Sequence, residues 1–131
     1  DAGAGDDTIT DGAGNDTVYA RDGADSIDAT GGGNDFIRAN AGDDTVNMGT
    51  KLTSADTVNG GYGNDKLIFT DNNNASDDLD NVMYFETIQL GNTTSNVDIK
   101  LPDAIVLPGS TLVIDASSIT TGTLTLDASS E

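Results

Sequence analysis

Seven aspartates recur at nearly constant spacing in the first half of the chain, each followed two residues later by an aliphatic side chain. They are Asp7, Asp16, Asp25, Asp35, Asp44, Asp56 and Asp65. Successive members lie 9, 9, 10, 9, 12 and 9 residues apart. Carboxylate oxygens are the ligands that hard cations such as Ca²⁺ prefer, and a regular row of them repeats the same ligand many times. The spacing therefore favours a repeated metal site over a single catalytic one.

Glycine accompanies these aspartates. It lies two residues before each of them except Asp56, where Ser54 stands. Glycine lets a small loop reverse the chain and turn carbonyl oxygens inward, where they can complete a ligand shell. The candidate metal-binding glycines are Gly3, Gly5, Gly12, Gly14, Gly23, Gly31, Gly33, Gly42, Gly61 and Gly63. Arg21 and Asn40 replace the second glycine of their repeats.

The aliphatic residues indicate the elements that position these loops. They are Ile9, Val18, Ile27, Ile37, Val46, Val58 and Leu67. A three-residue segment centred on each predicts a very short strand whose middle side chain points inward, because side chains alternate along a strand. Polar residues such as Thr8 and Thr17 would flank it on the solvent side.

Stacked repeats would bring the aspartates together on two edges. If each repeat forms half a coil, loops two repeats apart lie about 4.8 Å from each other on the same edge. One edge then carries Asp7, Asp25, Asp44 and Asp65, and the other carries Asp16, Asp35 and Asp56. Calcium ions with ligands at roughly 2.3–2.6 Å would fit between such loops, at up to about five sites. The sequence supports the site between Asp35 and Asp56 least, because the segment from Lys51 to Asp56 lacks glycine.

One copy of the repeat shows the whole pattern. Residues 60–68 read Gly-Gly-Tyr-Gly-Asn-Asp-Lys-Leu-Ile, which is G-G-x-G-x-D-x-U-x with U a large aliphatic residue. This pattern closely resembles the calcium-binding nonapeptide of the RTX (repeats-in-toxin) family. The resemblance implies an all-β fold, a right-handed parallel β-roll (β-solenoid) with calcium between its turns. It also implies export by a type I secretion system and folding outside the cell.

Composition narrows the possible functions. The 23 acidic residues against 5 basic ones give a net charge of −18, which opposes compaction unless cations neutralise it and disfavours nucleic acid as a partner. Acidic chains with few aromatics are often disordered, but the regular spacing argues against disorder here. The chain has no Cys and no His, which excludes thiol nucleophiles and Ser-His triads from it and predicts that it is not an enzyme. No apolar stretch approaches the roughly 20 residues of a membrane span.

The sequence favours two other interpretations of the repeat less. The neighbouring pairs Asp6–Asp7 and Asp43–Asp44 could form a carboxylate dyad for acid–base chemistry, but their repetition favours a scaffold. A ladder of threonines could bind ice, but Ser26, Phe36 and Lys66 interrupt the threonine column.

The second half of the chain differs. A polar run predicts an exposed loop within residues 70–81, between a roll at 1–69 and a β-rich continuation or cap at 82–131. Strands are predicted at Tyr84–Leu90, Val97–Leu101, Thr111–Asp115 and Thr123–Asp127. The segment Thr111–Ser118 is echoed twelve residues later by Thr123–Ser130, which suggests that the solenoid continues without calcium loops.

These observations predict a calcium-dependent structural module of a secreted bacterial protein, extracellular or on the cell surface and similar to S-layer proteins or adhesins. Its expected partners are calcium ions and, through self-association or surface assembly, other chains. The segment Phe85-Glu86-Thr87-Ile88 also resembles β-rich stretches between repeat blocks of large bacterial surface proteins. The alternative is the carboxy-terminal secretion and stability module of an exported hydrolase. Because the chain begins at Asp1, we expect it to be part of a larger protein.

Overall fold

The chain forms short parallel strands throughout the part that the computed structural model describes, residues 1–70, 78–93 and 96–129. The strands are β1 (Gly3–Ala4), β2 (Thr8–Thr10), β3 (Thr17–Asp22), β4 (Ser26–Asp28), β5 (Phe36–Ala41), β6 (Thr45–Gly49), β7 (Thr57–Tyr62), β8 (Lys66–Phe69), β9 (Val82–Met83), β10 (Thr87–Leu90), β11 (Val97–Lys100), β12 (Val113–Asp115) and β13 (Leu124–Asp127). All strand pairs among them are parallel. The described residues contain no helix.

Consecutive strands alternate between two sheets. One sheet has the order β1-β3-β5-β7-β9 and the other the order β12-β10-β8-β6-β4-β2. Each strand therefore pairs with the strand one full coil away, as in a coil of parallel turns. The register keeps the aliphatic positions aligned, since Ile27 pairs with Val46, and Leu67 pairs with both Val46 and Ile88. This all-β parallel solenoid confirms the predicted fold class.

The interior of the coil contains two columns of side chains. The first is the predicted aliphatic column, which is buried from Val18 onward. The second lies two residues further along each repeat, and its buried members are Ala20, Ala29, Ala39, Met48, Phe69 and Leu90. Because inward positions alternate along an extended chain, this second inward position lies in a longer strand or, as at Ala29, directly after a three-residue one. The prediction of three-residue strands holds for β2 and β4 but is wrong for β3, β5 and β7, which have six residues each.

The strands of the second half extend the same two sheets. β9 pairs with β7, while β10 pairs with β8 and β12 pairs with β10. β11 and β13 form a separate two-stranded parallel sheet. The four predicted strand segments all contain a strand, each within slightly shorter bounds. Of the predicted polar loop, residues 71–77 lie outside the described residues.

The two echoed segments of the second half have the same local structure. β12 ends at Asp115, whose Oδ1 accepts a hydrogen bond of 3.0 Å from the backbone N–H of Ser117. β13 ends at Asp127, whose Oδ1 accepts one of 2.9 Å from Ser129. In both turns the serine, through its side chain and then its backbone, lowers the pKa of the aspartate. The same aspartate turn therefore terminates both strands.

Candidate metal centre

The first edge of the coil carries a ladder of aspartates. The backbone N–H of Asp7 donates to Oδ1 of Asp25 at 2.7 Å. In turn, Asp25 donates to Asp44 at 2.7 Å and Asp44 to Asp65 at 2.9 Å. Each carboxylate thus reaches back to the loop of the preceding turn. The structure brings together the four aspartates that the sequence places on this edge.

The second edge repeats this arrangement with one difference. The N–H of Asp16 donates to Oδ1 of Asp35 at 3.0 Å, and that of Asp35 to Oδ1 of Asp56 at 2.7 Å. Unlike the others, Asp56 also accepts hydrogen bonds through Oδ2, from the backbone N–H and the hydroxyl of Thr53 at 2.9 and 3.1 Å. The loop without glycines therefore supplies hydrogen-bond donors to Oδ2 of Asp56.

Glycine permits the close stacking of the loops. A Cβ atom at Gly42 would lie 2.0 Å from the carbonyl oxygen of Gly23, and one at Gly31 would lie 1.4 Å from that of Gly12. No side chain fits at such distances. Where Arg21 and Asn40 replace glycine, they still adopt the left-handed conformation, with φ of 88° and 83°. At these two positions the backbone geometry of the repeat is thus kept although the residue type is not.

Several buried carboxylate oxygens of these ladders accept no hydrogen bond from the described residues. On the first edge they are Oδ2 of Asp25, Asp44 and Asp65, and on the second edge they include Oδ2 of Asp16. Burying an ionised carboxylate without a partner is costly. Burial, with the charges of neighbouring carboxylates and against the lowering effect of a backbone hydrogen bond, raises the pKa of Asp65 to about 7 and that of Asp44 to about 6.

A hard divalent cation fits this set of donors. It binds oxygen ligands such as carboxylates and carbonyl groups, and its positive charge offsets the repulsion between carboxylates that face each other across a turn. The residues present supply both kinds of oxygen, because carbonyl groups of one glycine-rich loop lie against the glycines of the loop stacked on it.

Sequence reasoning missed Asp11, which stands where the repeat has its first glycine. Its carboxylate lies with those of Asp16 and Asp35, such that one oxygen of each is within 4.8 Å of the others. Both oxygens of Asp11 are buried and accept no hydrogen bond from the described residues. Burial, followed by the charges of Asp35, Asp16 and Asp28, raises the pKa of Asp11 to about 6. The sequence signal for Asp11 was an acidic residue at the position where the repeat pattern has its first glycine.

A second missed residue is Glu86, which continues the first ladder beyond Asp65. Its Oε2 accepts a hydrogen bond of 3.0 Å from the backbone N–H of Asp65. Glu86 follows Asp65 by 21 residues, as Asp65 follows Asp44, and Ile88 follows Glu86 by two. The pattern of an acid two residues before an aliphatic residue was therefore present, but with glutamate and without the glycines.

The neighbouring acids Asp6 and Asp43, which are exposed, form an outer row of contacts beside the first ladder. Oδ1 of Asp6 accepts a hydrogen bond of 2.8 Å from the N–H of Ala24, and Oδ1 of Asp43 accepts one of 2.9 Å from Asn64. These bonds run in the opposite direction along the coil from those of the inner ladder. Each loop is therefore tied to the turns on both sides.

Fold and site together define a calcium-binding β-solenoid, with stacked glycine-rich loops and inward carboxylates on both edges. A comparison of the sequence with protein-family models supports this class of protein. The model of the RTX calcium-binding nonapeptide repeat (4 copies) matches residues 1–32, 29–49 and 52–74, which together are more than half of the chain. The chain belongs to this family of calcium-binding repeats.

Two further comparisons gave no match, either among curated proteins or among solved structures. In residues 1–70, 78–93 and 96–129, no helix is long and apolar enough to cross a membrane.

Proposed function

We propose that this chain is a calcium-dependent structural module of a secreted bacterial protein, which folds when Ca²⁺ enters the two aspartate ladders. The observation that carries the proposal is the row of buried carboxylate oxygens of Asp25, Asp44 and Asp65, which accept no hydrogen bond within the part of the chain that the structure describes. Structural metal sites contribute their binding free energy to folding.

The ions would lie between the stacked loops of each edge. The proposed carboxylate ligands are Asp7, Asp25, Asp44 and Asp65 on the first edge and Asp16, Asp35 and Asp56 on the second. The proposed carbonyl donors come from the glycine-rich loops, including Gly23 and Gly42. Five pairs of stacked aspartates result, and we propose that the Asp35–Asp56 pair binds calcium most weakly because Thr53 already bonds Asp56.

Net charge makes folding conditional on the metal. With 23 acids and 5 bases, the chain repels itself at neutral pH, which disfavours compaction. Calcium is scarce in the cytoplasm and plentiful outside the cell. We therefore propose that the chain crosses a type I secretion system unfolded and folds at its extracellular or cell-surface destination.

The second half supports a role in a surface assembly similar to that of S-layer proteins or adhesins. Its strands extend the solenoid, and β12 and β13 present Val113 and Leu126 with 53% and 45% of their surface exposed. Exposed apolar residues on terminal strands are a common basis of association between chains.

A calcium titration followed by far-UV circular dichroism tests the proposal, with magnesium as the control ion. We expect a cooperative transition from coil to β-structure that calcium alone produces. The variants Asp25→Ala and Asp44→Ala should weaken this cooperativity, whereas Asp103→Ala, which removes an exposed acid outside the ladders, should not. A signal that is indifferent to both calcium and a chelator would contradict the proposal.

A further inference from the structure

The first ladder does not end with the last nonapeptide. Glu86 lies beyond residue 74, where the family match ends, yet it takes the place of the next aspartate. The strand that follows it is in register with the preceding turn, since Thr87 pairs with Lys66 and Ile88 with Leu67. Glu86 therefore occupies the same position relative to Asp65 as Asp65 does relative to Asp44.

The loop that carries Glu86 is shorter than a nonapeptide loop. Between paired strands, residues 60–65 of one turn lie opposite residues 84–86 of the next. The short loop contains no glycine, and Tyr84 adopts the left-handed conformation at φ 61°. Glu86 nevertheless accepts a hydrogen bond from the backbone N–H of Asp65, as the aspartates of the full loops do from the preceding turn.

Residues outside the repeat hold this short loop in place. The N–H of Tyr84 donates to the carbonyl of Ala104 at 3.0 Å, and that of Phe85 donates to Ile105 at 2.6 Å. Phe85 and Ile105 are themselves buried in the core. The position of Glu86 is thus fixed by packing and by hydrogen bonds on the side opposite the ladder.

Two buried carboxylates meet at this turn with one unpartnered oxygen each. Glu86 is 8% exposed and Asp65 is 0% exposed. Oε1 of Glu86 and Oδ2 of Asp65 accept no hydrogen bond from the described residues. A glutamate that only capped the Asp65 N–H would need one oxygen, and a glutamine would serve as well without a buried charge.

The glycine that faces this turn leaves room for its oxygens. A Cβ atom at Gly60 would lie 2.2 Å from the carbonyl oxygen of Tyr84 and 2.8 Å from Oδ2 of Asp65. A side chain at position 60 would therefore clash with this turn. Oxygens from both loops converge here, as they do at the sites between complete repeats.

We propose that Glu86 and Asp65 hold a further Ca²⁺ ion, at a site formed half by the last nonapeptide and half by the continuation beyond it. This inference rests on the proposed calcium binding of the repeats. It extends that binding to a residue outside the repeat sequence, so that docking of the second half onto the roll also depends on calcium.

The variant Glu86→Gln tests the site, because it keeps the shape and the hydrogen-bond acceptor but removes the charge. Calcium bound per folded chain is counted by equilibrium dialysis and elemental analysis, with Asp103→Asn as the control for the loss of one negative charge. We expect Glu86→Gln to bind one ion fewer than wild type while the calcium-induced transition in circular dichroism persists. The control should bind as many ions as wild type.

An unchanged ion count in folded Glu86→Gln would overturn this inference and leave the proposed function standing. If wild type itself bound no calcium, the proposed function would fail as well. Should Glu86→Gln not fold, a crystal of the calcium-loaded wild type decides through its anomalous difference map. A peak between Asp65 and Glu86 is expected, and its absence beside peaks at Asp25 and Asp44 would refute the site.

Discussion

The two halves of the solenoid share a backbone path. They differ in the side chains that fill the interior and in the hydrogen bonds that connect successive turns. In the roll, residues 3–69, carboxylates on the edges reach from each loop to the preceding one, and small residues such as Ala20 and Ala39 fill part of the interior. In the continuation, residues 82–127, the acid ladder ends at Glu86 and large side chains such as Phe85 and Leu90 are buried.

On the proposed function, the two halves would be stabilised by different means. In the first turns of the roll the second inward column holds only Ala20, Ala29 and Ala39, which bury little apolar surface, so bound ions would add free energy there. The continuation buries larger side chains near the junction and lacks the repeated aspartate loops. Calcium dependence should therefore be concentrated in the roll and its boundary.

The largest expected effect comes from removing a carboxylate in the middle of the ladder. Asp44 lies between two stacked neighbours, so Asp44→Ala leaves two proposed ion sites incomplete. We expect the calcium-loaded free energy of unfolding to fall by about 3–5 kcal/mol, the cost of breaking a buried charge pair. Denaturant titration in calcium measures it. A loss no larger than that of the exposed control Asp103→Ala would remove the distinction between the two halves.

Truncating a leucine to alanine tests whether the interior of the roll is packed more tightly than the end of the continuation. Leu67 is fully buried between the strands of the roll, and Leu67→Ala should lower the free energy of unfolding by about 2–4 kcal/mol. Leu126, which is 45% exposed on β13, should cost less than about 1 kcal/mol when changed to alanine. Thermal unfolding in saturating calcium compares the two variants. Equal losses would mean that the end of the continuation is as well packed as the roll.

Gly42 and Gly109 both have positive φ, so substitutions at these positions distinguish the cost of backbone strain from the cost of a clash between stacked loops. Gly42 has φ 134° and faces the carbonyl of Gly23, whereas Gly109 has φ 92° and nothing within 4 Å of its Cβ position. We expect Gly109→Ala to cost about 1–2 kcal/mol from backbone strain alone, and Gly42→Ala to cost more because the added atom also meets the next loop. The free energy of unfolding of each variant in calcium gives the answer, and a smaller loss for Gly42→Ala would contradict the stacked-loop account.

A further prediction concerns pH in the absence of calcium. Burial raises the pKa of Asp44 to about 6 and that of Asp65 to about 7, from an ordinary value of 3.8, so the folded chain binds more protons than the unfolded chain between these values. Stability of the calcium-free roll is therefore highest below about pH 4 and falls as pH rises towards 7. Circular dichroism of the chelated chain across this range should show more β-structure at the acidic end. More β-structure at neutral pH would contradict the assignment of buried, unpartnered carboxylates.

Regular spacing made the roll predictable from its sequence. Inward positions whose residue type changes from turn to turn could not be predicted in this way. One position of the repeat is always aspartate and another is always a large aliphatic residue, and both edges follow from the intervals between them. The second inward column was missed because it contains residues as different as Ala20, Met48 and Phe69. Glu86 was missed because its loop lacks glycine, so that only three-dimensional stacking reveals its place in the ladder.

Residue-resolved hydrogen exchange at neutral pH, with and without calcium, tests most directly the claim that ions hold the aspartate ladders together. The backbone N–H groups of Asp25 and Asp44 donate to the carboxylates of the next turn and are buried. We predict that calcium protects these amides strongly and that a chelator abolishes their protection. Equal protection of both amides without calcium would contradict the account, because the ladders would then be stable without the metal.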